Sequence, residues 1–103
     1  MKAKTQTFVV ANHISGGRSV LAVCDSAIHS KKFEEGGIVL DLGSKFYHGE
    51  EKDAKEAADM MGKAYIINAA GKDAVALAIK LGHAAKENVK SVSGVPHVQV
   101  LMM

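Results

Sequence analysis

Two short apolar stripes of helical spacing stand among runs of β-forming residues, and that order restricts the chain to a layered α+β fold. Ala54, Ala57, Ala58 and Met61 fall at i, i+3, i+4 and i+7, the face of one helix. A helix is therefore expected from Glu50 to Met61. Glu50, Glu51 and Asp53 would fill its first turn, where the helix dipole favours acids, and Gly62 would stop it. Val75, Ala78 and Ile79 mark a second helix, Lys72 to Leu81, ended by Gly82. Strands are expected at Thr5–Asn12 and Ser19–Asp25, joined as a hairpin through the glycine pair Gly16-Gly17. Further strands are expected at Ile38–Leu42, Lys63–Ala70, Asn88–Ser93 and His97–Met102, while Ser26 to Glu35 reads as irregular and broken by Gly36-Gly37. The order is β-β-β-α-β-α-β-β: one α+β domain over residues 1–103, with a mixed, mostly antiparallel sheet. Two helices cover one face, with Ala54, Ala58, Met61, Val75 and Ile79 turned inward.

The core must be built from small side chains. The chain has 15 alanines and only five aromatic residues: Phe8, Phe33, Phe46, Tyr47 and Tyr65. Alanine buries little area, so the elements must approach closely. Formal net charge is +2, from 13 basic and 11 acidic residues. That permits an anionic partner without demanding one. Arg18 is the only arginine. Dedicated base readers use arginine forks, so direct base readout is disfavoured. The single cysteine, Cys24, cannot form an intrachain disulfide, which suits a reducing, cytoplasmic setting. No apolar run reaches the ~18 residues of a membrane span, and no membrane partner is expected. The apolar run after the basic start is too short for a signal peptide core.

The only proline lies in Ser93-Gly94-Val95-Pro96-His97-Val98-Gln99-Val100. Proline fixes φ, so Gly94 to Pro96 reads as a rigid turn that feeds His97 onto a strand. His97 and Gln99 then share one face, Val98 and Val100 the other. Asn68 stands in the apolar run Tyr65-Ile66-Ile67-Asn68-Ala69-Ala70. A buried amide needs partners. It either caps the next helix or pins a loop, or else faces a ligand. His97 either bonds a nearby carbonyl or does acid–base work.

Signatures of common chemistry are missing. There is no C-x-x-C pair and no H-E-x-x-H. Gly71-Lys72 fails as the end of a phosphate loop, because Ile66 stands at the first glycine position and Asp73 at the hydroxyl position. Cys24, Asp25 and His29 offer zinc ligand types, but no second pair with finger spacing follows, so neither a metal nor another cofactor is assigned. No catalytic residue is assigned, and enzyme activity is left open.

Several segments together resemble one family. They are Phe33-Glu34-Glu35-Gly36-Gly37-Ile38-Val39-Leu40, Phe46-Tyr47-His48-Gly49-Glu50 and Ile67-Asn68-Ala69-Ala70-Gly71, with the helix Val75 to Gly82, Glu87-Asn88-Val89 and Gly94-Val95-Pro96-His97. The set is similar to the archaeal domain-of-unknown-function family 424 over about Leu21 to Val100. The resemblance implies a small archaeal cytoplasmic α+β protein and supplies no established activity. His48, and His83 in Gly82-His83-Ala84-Ala85, depart from the family pattern, which sets them apart from any shared role.

The glycines and polar residues of this resemblance define the expected binding surface: Phe46, Tyr47, Gly49, Glu50, Asn68, Gly94, Pro96, His97 and Gln99. The leading reading is a non-catalytic module for RNA or ribonucleoprotein, with Lys31, Lys32, Lys86 and Lys90 on phosphates. It rests on small size, mild basicity and missing catalytic signatures. The alternatives are a protein-interaction subunit pairing through the terminal strand Val98 to Met103, and a small enzyme using His97, Asn68 and Glu50.

Overall fold

The computed structural model describes residues 6–102; Thr5, expected to open the first strand, and Met103, expected to close the interaction strand, lie outside them. β1 (Thr7–Ser15), β2 (Arg18–Asp25), β5 (Glu50–Asp53), β6 (Ile66–Ala70), β7 (Lys90–Val92) and β8 (Val95–Leu101) form one sheet. Its order is β5-β1-β2-β6-β8-β7. Only β2 and β6 run parallel; all other neighbours are antiparallel. β3 (Lys32–Glu35) and β4 (Ile38–Asp41) form a separate hairpin.

The helices α1 (Ala54–Lys63) and α2 (Lys72–Lys80) pack on one face of the large sheet. Phe8, Val10, Leu21, Val23, Ile67, Ala69 and Val98 meet Ala57, Met61, Ala74, Val75 and Ala78 there. The inward set differs slightly from expectation. Met61 and Val75 are buried and Ala54 and Ile79 pack at the margin, but Ala57 takes the central place intended for Ala58. On the opposite face Cys24, Ala70 and Val92 pack under Leu40 and Leu42, with Ile28, Phe33, Tyr47 and Val95 at the margin.

Three expectations are corrected. First, Glu50 to Asp53 is an edge strand and not the start of a helix. α1 begins at Ala54 because Asp53 and Glu56 form a reciprocal capping box: the Glu56 amide donates to Asp53 Oδ1 at 2.8 Å, and the Asp53 amide to Glu56 Oε1 at 3.3 Å. Gly62 lies inside this helix, which runs on to Lys63. Second, the Ser26 to Glu35 region contains β3. Gly36 and Gly37 have φ of 58° and 85°, so the pair turns a hairpin instead of ending an element. Third, Pro96 is a strand residue, opposite Ser91. The turn is Ser93-Gly94, with φ of 50° and 82°. Pro96 fits because its carbonyl accepts the Gly71 amide at 2.8 Å, while the Gly71 carbonyl, which a residue with an N–H would have reached, is taken by Val75 N at 3.0 Å.

Candidate functional site

The Gly71–Pro96 bond and the Met102 amide bonded to the Tyr65 carbonyl (2.7 Å) fix the alternation along β8. Pro96, Val98, Val100 and Met102 turn their main-chain groups toward β6. His97, Gln99 and Leu101 turn theirs away. β7 covers β8 only from Val95 to His97. The main-chain groups of Gln99 and Leu101 therefore face outward, with no hydrogen-bond partner among the described residues.

A cleft of about 460 Å³ lies in the gap where β7 stops. Tyr47, Asn68, Glu87, Asn88, Lys90, His97 and Gln99 supply its side chains. Asn68 and Gln99 sit directly opposite in the β6–β8 register. Theirs is a non-hydrogen-bonded pair, the arrangement that brings side chains closest, with Cα atoms ~4.5 Å apart. None of these seven side chains bonds another protein group among the described residues, and neither Lys90 nor Glu87 forms an ion pair there. Burial, and then the Lys90 charge, hold the His97 pKa below its ordinary 6.5. At neutral pH the imidazole is thus uncharged, with both a donor and an acceptor to offer.

Tyr47 enters the cleft from a short turn, Lys45–Tyr47. Two histidines hold that turn through successive carbonyls: His13 Nε2 donates to Phe46 O at 2.8 Å and His29 Nε2 to Tyr47 O at 3.1 Å. The His13 ring also stacks on Phe46, centroids 5.1 Å apart and 11° from parallel. Burial pushes the Tyr47 hydroxyl up to about 12. It pushes the Cys24 thiol, in the same second core, up to about 12 as well. Cys24 is therefore a protonated packing residue and no nucleophile.

The expected surface is split by the fold. Tyr47, Asn68, His97 and Gln99 meet in the cleft. Phe46 is engaged with His13. Gly49 lies so close to the Val10 carbonyl that no Cβ fits. Glu50 pairs with Val10 in β5 and bonds Lys52 at 3.3 Å. It is three strand spacings from β6, roughly 14 Å, so the trio His97, Asn68 and Glu50 shares no site. Gly94 is at a hairpin tip and Pro96 within β8. Of the four lysines expected on phosphate, Lys90 lines the cleft; Lys31, Lys32 and Lys86 are exposed elsewhere. Sequence reasoning missed Glu87 and Asn88 as lining residues, although both belong to the segments that carry the family resemblance.

Asn68 does not cap α2. That task falls to Asp25, at the end of β2. Its carboxylate accepts the amides of Asp73 (2.9 Å) and Ala74 (2.7 Å). Gly71, at φ 109°, passes so near that a Cβ would overlap this carboxylate. The amides that a phosphate loop would offer an anion are thus taken by the chain's own carboxylate. Burial raises the Asp25 pKa, against the lowering effect of these two hydrogen bonds. Among the described residues no group of three or more His, Cys, Asp or Glu is placed to hold a metal ion, and no helix is long and apolar enough to cross a membrane.

Fold and cleft define a small α+β protein with one helix-covered sheet face and an open stretch of strand edge beside the cleft. The family model for a protein of unknown function, DUF424, matches residues 13–103, and the chain belongs to that family. It is also similar to the crystal structure of an uncharacterized conserved protein from Methanopyrus kandleri. That similarity has a TM-score of 0.79 at 27% identity and covers 94% of each chain. No curated protein matches the chain.

Proposed function

We propose that this protein is a non-catalytic binding module that takes an extended peptide of a partner protein along the outer edge of β8. One observation carries the reading. β7 stops after three residues and leaves the main-chain groups of Gln99 and Leu101 facing outward beside a cleft of unbonded polar side chains. Such an edge is a template for an added strand: main-chain bonds supply affinity, and alternate side chains enter flanking pockets. The cleft carries Lys90 and Glu87 together. Mixed charge suits a peptide better than a polyphosphate.

RNA is the second reading. The Asn68 and Gln99 carboxamides offer the donors and acceptors that an unstacked base edge requires, and Lys90 is free for a phosphate. Partners recovered from native cells, with and without nuclease, separate the two when tested against Leu101→Pro and Asn68→Ala. Leu101→Pro removes an outward N–H and spares every β6–β8 bond. Peptide binding should resist nuclease and salt and be lost in Leu101→Pro. Release by nuclease would instead favour RNA, as would an affinity falling with a log–log salt slope of about −0.7 per phosphate. A concentration-dependent dimer abolished by Leu101→Pro would make the occupant a second copy of the chain.

A further inference from the structure

A second recess, of about 510 Å³, opens where β2 and β6 begin. We propose that it binds an organic phosphate, with Arg18 as its anchor. Arg18 follows the Gly16-Gly17 turn, and its guanidinium carbon lies 4.5 Å above the centre of the Tyr65 ring. Nη1 donates to the Tyr65 hydroxyl at 2.9 Å. Tyr65 is itself fixed by two main-chain bonds: its amide donates to Ser19 O at 2.9 Å, and its carbonyl accepts Met102 N–H at 2.7 Å. The guanidinium plane is thus set in advance, and Nε and Nη2 are left to donate. A fixed fork of that kind matches two oxygens of a phosphate.

The surroundings favour the same ligand. Lys63 lines the recess, and no carboxylate does. The ammonium of Lys63 is 3.4 Å from Asp59, but both side chains are well exposed, and such a pair yields readily to a stronger anion. Ile14, 67% exposed, and Met102 supply an apolar wall. Cationic donors beside an apolar wall suit a phosphate attached to an organic body, and the volume lies in the small-molecule range of ~300–1,000 Å³. The recess is separate from the β8 cleft and independent of what that cleft binds.

The test is an NMR titration of the whole chain with AMP, adenosine and inorganic phosphate. AMP should shift the amides of Gly17, Arg18 and Ser19 and saturate below about 10 mM, a range weak single-site ligands reach. Adenosine and inorganic phosphate should each bind at least ~10-fold more weakly, because each lacks half of the contacts. Arg18→Gln should weaken AMP about 10-fold or more, and Arg18→Lys about 5-fold, since a point charge replaces the fork. Unchanged amide shifts elsewhere would show that the exposed substitutions leave the fold intact. The proposal is overturned if AMP causes no saturable shift, if adenosine binds as tightly as AMP, or if Arg18→Gln binds like the parent. Equal affinity for inorganic phosphate would overturn its organic half.

Discussion

The two ends of the large sheet differ in the charge of their last strands and in what lies beside them. At one end β5 is four residues long and every one is charged: Glu50, Glu51, Lys52 and Asp53. It runs straight into α1 through the capping box. Short length and charge are the usual defences against unwanted strand pairing. At the other end β7 covers less than half of β8, and the uncovered stretch, Val98 to Leu101, has no charged residue. Leu101 is 54% exposed there. β5 in turn covers β1 only from Thr7 to Val10, so Ala11 to Ser15 is uncovered on that side as well. The ends differ in that His13, Glu50 and Lys52 beside the first are already bonded, whereas the polar side chains beside β8 are not.

The largest test of this contrast strains the anchor of the bare edge of β8, together with the Asp25 cap of α2. Gly71→Ala places a Cβ against the Asp25 carboxylate at φ 109°. The strained backbone costs ~1–3 kcal/mol, and the overlap adds to it, so denaturant melts should show a loss of about 3 kcal/mol or more. Because the Gly71 amide holds Pro96, hydrogen exchange should quicken in β8 more than in β5. Equal loss of protection at both edges would mean that they are held by one cooperative unit and that the contrast has no energetic basis.

Asp25→Ala should cost less, about 2 kcal/mol, because two amides of α2 lose their acceptor while the backbone keeps its path. Asp25→Asn, which retains one carbonyl oxygen, should recover roughly half. A loss in Asn equal to that in Ala would point to the carboxylate charge and not to the hydrogen bonds.

Leu101→Lys gives β8 the defence that β5 already has. The side chain is exposed, so stability should change by less than ~0.5 kcal/mol. Partner binding should fall ~10-fold or more, as measured by titration with the recovered peptide. Unchanged binding would move the contact away from this edge.

Much of this architecture was legible in local patterns. The stripes Ala54-Ala57-Ala58-Met61 and Val75-Ala78-Ile79 locate the two buried faces, although the buried centres are Ala57 and Ala78 in place of Ala58 and Ile79. The alternation of His97, Val98, Gln99 and Val100 correctly divides cleft from core. The β5 strand was hidden because Glu50, Glu51 and Asp53 resemble a helix first turn, although Asp53-Ala54-Lys55-Glu56 carries a capping-box spacing that marks the true boundary. The site was less legible for a different reason. Glu87, Lys90 and Asn68 meet only through strand order, which places β6 beside β8 and β8 beside β7. Nor does spacing disclose that β7 ends early, and that ending opens the cleft. Asp25, 46 residues before Gly71, becomes the cap of α2 only once β2 and β6 lie side by side.

The smallest effect concerns His97, which lines the cleft beside the bare edge. Burial and Lys90 keep its folded pKa below 6.5. The unfolded chain therefore binds more protons between the folded value and 6.5. Stability rises with pH across that window: the contribution is complete above about 6.5 and lost as pH falls through the folded pKa. The imidazole is only partly buried, so solvent screening keeps the effect small. NMR titration of the ring should nonetheless resolve it, and Lys90→Ala should raise the His97 pKa by removing a like charge. A strand added along Gln99 and Leu101 would cover the same ring and lower its pKa further, so partner binding should weaken as pH falls below 6.5 in the parent and not in His97→Gln. A binding curve flat with pH in both proteins would place the partner away from His97, leaving the open edge of β8 without the cleft beside it.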